Sequence, residues 1–326
     1  MARLFPTALR PGDEIAVVSP ASGVRDRAAL ERGLERIREW GFVPTLMPHA
    51  LESLDWPEGS TLAASDAERL GDLQSAITDP RYRAVVCLRG GYGAARLLRD
   101  LDLTPLAADP KPILGYSDIT ALLAAVFAET GVIGFHGPMV ATTEAMDPGD
   151  AGWALQRMLL TETDAPAALP ATDAPRGLQA GTAEGALVGG NLALVQSLIG
   201  TPWEIDTSGA LFFLEDVGEA PYRVDRMLTQ LDQTGALERA AGIVLGDFHV
   251  TGTPLASEQP SMLRVLAERL AHLEIPVAHG FPIGHRPGSW TLPYGGRARL
   301  HVPDTDADAP ATLELLEPAV SGTGAA

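Results

Sequence analysis

Residues 112–131 read PILGYSDITALLAAVFAETG, and their order decides the fold. A short apolar run passes through a tight polar junction into an apolar helical stretch, which is the βα half of a parallel βαβ unit. The alternation continues outward. DEIAVVSP (13–20) reads as a buried strand, DRAALERGLERIREWG (26–41) as a helix ending at Gly41, and VPTLMP (43–48) as a second strand. SDAERLGDLQSAITD (65–79) reads as a helix with Ser65 as its cap, and RAVVCLRGG (83–91) as a strand. GAARLLRDL (93–101) and VIGFHGP (132–138) keep the pattern. Strands separated by helices at this spacing predict an α/β fold with a parallel sheet covered on both faces.

Residues 161–185, TETDAPAALPATDAPRGLQAGTAEG, have no period and are dense in Pro, Ala, Thr and Asp. They predict a linker between a unit at 1–160 and a second α/β unit at 186–326. In the second unit a Gly-rich stretch leads into a helix at 188–200. A strand ALFFLED (210–216), a helix PYRVDRMLTQLDQTGA (221–236), a strand GIVLGDF (242–248) and a helix SMLRVLAERLAHL (261–273) follow. RARLHVPDTDADAPATLELLEP (297–318) reads as two strands joined by an acidic turn.

The 326 residues carry a formal charge of −18 and one lysine, Lys111, which argues against nucleic acid or an anionic membrane as partner. No apolar run reaches about 18 residues, and the first residues meet charge and Pro-Gly too early for a signal peptide, so the reading is a soluble, cytoplasmic protein. A single cysteine, Cys87, excludes an internal disulfide and a cysteine-based metal cage. It reads as a buried strand residue.

In an open parallel sheet, ligands gather beyond the carboxyl ends of the strands. Three loops fall there: SPASG (19–23), RGGYG (89–93) and GYSDIT (115–120). Gly90, Gly91 and Gly93 let backbone amides point at one acceptor. The loop is neither a Walker loop nor G-x-G-x-x-G, and a plain tight turn explains it equally well. Ser117 or Asp118 can cap the following helix. Alternatively, the Ser117 hydroxyl is a nucleophile, with the Asp118 amide and one from the glycine loop stabilising an oxyanion. G-x-S-x-G would require glycine where Ile119 stands, so this is not a standard nucleophile elbow.

A serine nucleophile needs a base and the base needs a carboxylate. Of seven histidines, His285 in FPIGHRPG sits in an irregular loop that packing does not require, and His136 in GFHGP can line the crevice. His49, His272 and His301 read as solvating or packing residues, whereas His249 and His279 follow strand-like runs. Glu215 is the first polar residue after four apolar ones. It supplies a carboxylate, or else merely turns a strand end to solvent. Glu219 reads as a helix N-terminal acid and Asn191 as a cap. A metal site built from Asp216, Glu219, Asp247 and His249 would require four separated residues to converge.

In this order, CLRGGYGAARLL (87–98), LGYSDITALL (114–123), GFHGPM (134–139), GGNLALVQSLIGTPWEID (189–206), LFFLEDVGEAPYRVDRML (211–228), GIVLGDF (242–248) and PIGH (282–285) resemble the LD-carboxypeptidase family of serine peptidases. That family includes muropeptide carboxypeptidases and microcin-C immunity peptidases. The resemblance runs from residue 11 to about residue 300. It implies a Rossmann-like N-terminal domain and a smaller, swivelling β/α-type C-terminal domain. It further implies Ser117 as nucleophile, Glu215 and His285 completing a triad, and backbone amides of Gly91 and Asp118 as the oxyanion hole. The implied activity is release of a C-terminal residue from a small peptide, most simply D-Ala from a murein tetrapeptide in cell-wall recycling. It needs no metal or organic cofactor, and family members are commonly homodimers. A peptidyl-nucleotide conjugate is the alternative substrate, and a non-catalytic anion-binding α/β module is the alternative of another class.

Overall fold

The structure is a computed structural model and describes residues 2–55, 61–143, 147–170, 172, 175–249, 260–304 and 309–322. The segments 48–61 and 140–150 therefore lie partly outside the described residues.

The first half of the chain forms β1 (Glu14–Val18), α1 (Arg27–Glu39), β2 (Val43–Leu46), the short pair β3 (Leu54–Asp55) and β4 (Thr61–Leu62), α2 (Asp66–Thr78) and β5 (Tyr82–Cys87). It continues through α3 (Thr104–Ala108), β6 (Ile113–Gly115), α4 (Thr120–Thr130), β7 (Gly134–His136) and α5 (Gly149–Thr161). The second half forms β8 (Arg176–Gln179), β9 (Gly181–Asn191), α6 (Leu192–Ser197), β10 (Leu211–Val217), α7 (Pro221–Gln233), α8 (Ala236–Arg239) and β11 (Gly242–His249). It ends with α9 (Pro260–Leu270), β12 (Val277–His279), β13 (Leu292–Tyr294), β14 (Arg297–Val302) and β15 (Thr312–Leu315). None of the helices is long and apolar enough to cross a membrane, among the described residues.

The first sheet has the order β13-β7-β6-β5-β1-β2, with β7 through β2 parallel and β13 antiparallel at the edge. The second sheet runs β15-β14-β9-β10-β11-β12-β8 around a parallel centre, β9 to β12. The fold class is thus α/β, as the alternation predicts. Local chemistry explains several boundaries. Asp26 accepts from the Ala29 amide to start α1, and Ser65 with Glu68 forms a reciprocal capping box on α2. Pro221 takes the first position of α7, where no amide hydrogen is needed. In α4, Thr120 through Val126 are all buried, because this helix packs between the first sheet and β9.

Two expectations change. The aperiodic stretch 161–185 is not linker throughout: Arg176–Gln179 and Gly181 onward are strands of the second sheet. The Gly-rich run ahead of α6 is itself the buried end of β9, where Gly189 adopts φ 135 and passes so close to the Phe213 carbonyl that no side chain fits. The C-terminal part also returns to the first sheet, since β13 pairs with β7 through Leu292 opposite His136.

Candidate active site

A cleft of about 430 Å³ opens where the two sheets meet, lined by Arg89, Gly90, Gly91, Ser117, Asp216 and His285 among others. The carboxyl end of β6 delivers Ser117 to it. Among the described residues, Ser117 is the one non-glycine residue with positive φ, at 62. Holding an L-residue there costs about 1–3 kcal/mol and requires surroundings that enforce it. Those surroundings are backbone. A Cβ on Gly90 would lie 2.9 Å from Ser117 Cβ and 3.3 Å from the Asp118 amide nitrogen, so only glycine lets the 89–93 loop approach this closely. Ser22 anchors that loop by donating its amide to the Gly90 carbonyl (3.2 Å) and accepting the Tyr92 amide on Oγ (3.1 Å).

The capping role that Ser117 and Asp118 offer is not used. A short 3₁₀ turn, Ser117–Ile119, precedes α4, and neither turn nor helix has a side-chain cap. The buried Asp118 carboxylate instead accepts the Ala94 amide at 2.7 Å, tying the serine turn to the glycine loop. Burial pushes the Asp118 pKa up. A second tie comes from Thr120, whose Oγ1 accepts the Asn191 amide at 3.0 Å. Gly190 is needed for that contact, since a Cβ there would lie 2.5 Å from Thr120 Oγ1.

Glu215, on β10, is completely buried rather than turned to solvent, and its Oε2 lies 2.8 Å from His285 Nδ1. Gly284, at φ 106, clears the space for this contact: a Cβ there would sit 2.5 Å from Oε2. Burial alone would raise the Glu215 pKa, but the charge and hydrogen bond of His285, with His136 and an Asn191 side-chain hydrogen bond adding to them, outweigh it and leave the carboxyl below its ordinary value. For His285 burial pulls down, while the charge and hydrogen bond of Glu215 pull up more strongly, with Asp216 and Asp247 adding to them, so its pKa lies above the usual 6.5. With Nδ1 engaged by Glu215, Nε2 is the nitrogen left for chemistry.

Ser117, Gly91 and His285 therefore share one cleft, with Glu215 directly behind His285 and the Asp118 amide beside Gly90. Asn191 caps α6 by accepting the Leu194 amide, as its residue type predicts. Glu219 does not cap α7; it lines the cleft and meets Arg223 at 3.4 Å. His136 does not line the cleft. It is 1% exposed, below the surface, between Tyr116 and Phe213. His49, His272 and His301 are engaged by Asp72, Asp232 and Thr182. Cys87 is fully buried, and its thiol is shifted far upward by burial. No three ligand-type side chains converge as a metal site among the described residues.

Sequence reasoning passed over Ser22, Thr120, Gly190 and Arg89. Arg89 is the one guanidinium among the described lining residues, with Nη1 donating to the Gly23 carbonyl at 3.2 Å.

This architecture has matches along nearly its whole length. The family model described as the LD-carboxypeptidase N-terminal domain matches residues 15–137, and the one described as the C-terminal domain matches residues 184–300. The chain is 35% identical to the murein tetrapeptide carboxypeptidase of Pseudomonas aeruginosa, over 88% of this chain and 92% of that one. A solved muramoyltetrapeptide carboxypeptidase from Oxalobacter formigenes superposes with a TM-score of 0.74 at 30% identity, covering 93% of this chain and 99% of that one. The microcin C7 self-immunity protein MccF, solved in complex with aspartyl sulfamoyl adenosine, gives a TM-score of 0.83 at 25% identity over 98% and 100%. Matched in both halves, this protein belongs to the LD-carboxypeptidase family.

Proposed function

We propose that the protein is a serine carboxypeptidase that releases the terminal D-Ala of a murein tetrapeptide in the cytoplasm, working as a homodimer. A first unit, residues 1–160, contributes Ser117, and a second, which takes in β8 and β9 from residue 176 onward, contributes Glu215 and His285. The observation that carries this reading is the buried Glu215–His285 hydrogen bond opening onto the same cleft as the strained Ser117 turn. The family's relatives named for murein tetrapeptide cleavage support the substrate.

In this reading Ser117 Oγ attacks the scissile carbonyl while His285 Nε2 takes its proton, and Glu215 stabilises the imidazolium so formed. The amides of Gly91 and Asp118 hold the oxyanion. As the tetrahedral intermediate collapses, His285 returns the proton to the leaving amine and D-Ala departs. Water, deprotonated by the same imidazole, then clears the acyl-enzyme. Arg89 offers a cation for the terminal carboxylate, and Asp216 and Glu219 offer anions for a substrate ammonium. A second reading, cleavage of a peptidyl-nucleotide conjugate, is favoured by the likeness to MccF.

The test is turnover on a panel of murein tetrapeptide, its tripeptide and pentapeptide controls, and a peptidyl-nucleotide conjugate. D-Ala release from the tetrapeptide alone is expected, falling by about 10⁴-fold or more in a folded Ser117→Ala variant. Cleavage of the conjugate alone would establish the second reading. Tight binding without turnover would make the protein an anion-binding module.

A further inference from the structure

Behind the Glu215–His285 pair lies an unusual histidine. His136 ends β7, and both its ring nitrogens are buried without a hydrogen-bond partner. Its surroundings would suit a phenyl ring. Phe213 lies 5.0 Å away edge-on and Tyr116 6.1 Å away edge-on, with Leu292 opposite on β13. An imidazole buried unpaired among aromatic rings is costly, and phenylalanine would fill the space without that cost. The polar residue needs a reason.

The strand pattern supplies one. Phe213 and Glu215 are two residues apart on β10 and so point to the same face. The ring packed on Phe213 thus lies on the face from which Glu215 projects. Tyr116 continues the line, with its ring 6.1 Å from His136 on one side and 4.7 Å from His285 on the other. Glu215 is also under-engaged: Oε2 meets His285, while Oε1 is buried without a direct hydrogen bond of ordinary geometry, the neighbouring Asn191 side chain adding only to the pull that lowers the Glu215 pKa. Three orphaned polar atoms, two on His136 and one on Glu215, therefore belong to one buried neighbourhood.

We propose that His136 is a positioning residue, whose imidazole N–H holds Glu215 Oε1 through one bound water so that Oε2 stays aimed at His285. A water with two or more polar partners is the group that fits between such atoms. The imidazole is suited to the task because it stays neutral. Burial is the main cause of a pKa pushed down to about 4; the Glu215 charge opposes the shift and His285 reinforces it. The groups facing it are Tyr116 from the end of β6, Glu215 from β10 and His285 from the 281–290 loop. This proposal rests on the triad reading.

The test compares His136→Phe and His136→Gln with wild type and with Ser117→Ala on the tetrapeptide. His136→Phe is expected to lower kcat at least about tenfold with KM unchanged, and to displace the low-field proton resonance of the His285–Glu215 hydrogen bond. Its Tm should rise, because the orphaned nitrogens are gone. His136→Gln, which keeps a donor, should recover part of the kcat. Unchanged kcat and resonance in His136→Phe would overturn the proposal. So would parallel loss of kcat and Tm in both variants, which would mark His136 as packing only. Turnover retained by Ser117→Ala would instead overturn the triad reading, separately from these outcomes.

Discussion

The turn that carries Ser117 and the loop that carries His285 face one cleft, yet they are held there by different forces. The serine turn is fixed by steric fit. Gly90 presses against it, Gly190 lets Thr120 dock on β9, and the residue itself sits at φ 62 with no side-chain cap. The histidine is fixed by charge, through its contact with a fully buried Glu215. In the proposed triad, geometry should therefore govern Ser117 and electrostatics His285, and substitutions can separate the two.

The largest expected effect is on the charged side. Glu215→Gln removes the largest of the interactions that raise the His285 pKa, leaving Asp216 and Asp247 alone against the downward pull of burial. As the proposed base, His285 must be neutral to accept the serine proton, so the acid limb of kcat/KM is expected above pH 6.5 in the wild type. In Glu215→Gln that limb moves to lower pH while kcat falls by about 10³-fold. A pH–rate profile on the tetrapeptide checks both. A limb that stays in place would mean that another group sets it.

A matched pair of glycine substitutions sharpens the contrast at a smaller scale. Gly90→Ala puts a methyl group 2.9 Å from Ser117 Cβ and should lower kcat/KM by about 10²-fold with the acid limb unmoved. Gly284→Ala puts one 2.5 Å from Glu215 Oε2 at φ 106, and should both weaken catalysis and shift the limb downward. The same profile, measured on both variants, distinguishes steric from electrostatic damage.

The smallest effect concerns stability. Asp216 lines the cleft, and its pKa is raised to about 7, chiefly by burial and then by the Glu215 charge. Its folded-state pKa exceeds the unfolded value of 3.8, so ionisation is penalised in the fold. The loss of stability begins above pH 3.8, grows until about pH 7 and is constant beyond. Asp216→Asn has no such penalty. Its stability advantage over wild type, read as a rise in Tm, should grow from about pH 4 to 7 and then level off at a few kcal/mol. Thermal melts across this range would show a flat difference if the penalty were absent.

Much of this was readable from residue order. Apolar runs gave β1, β5 and β6, and Ser65 with Glu68 and Pro221 marked helix starts by chemistry that acts locally. For Ser117 a helix cap and for Glu215 a solvent-facing strand end were also open readings, and it was the family resemblance that joined them with His285 as a proposed triad. What escaped depends on partners distant in sequence. Nothing within GYSDIT reveals that Ser117 adopts φ 62, because its close neighbour Gly90 comes from the loop after β5 and the Gly190 that admits Thr120 comes from β9. Ser22 and Thr120 look like ordinary hydroxyl residues until the chain folds. The stretch 176–191 hid two strands because its alternation is built from glycine, alanine and threonine as much as from apolar side chains. His136 read as a crevice residue because a strand end points there, and only the second sheet packing over it shows that it is covered.

The small strand β13 has a consequence for how the protein comes into being. It joins residues 292–294 to β7 at residues 134–136, and the Ser321 amide further on donates to the Pro6 carbonyl. During translation the sheet that bears Ser117 must wait, with the β7 edge unpaired, until residues 292–294 have left the ribosome. The closing pairing is strongly non-local, which is the slow kind. A nascent chain thus carries Ser117 long before residues 292–294 are available to close the sheet that holds it.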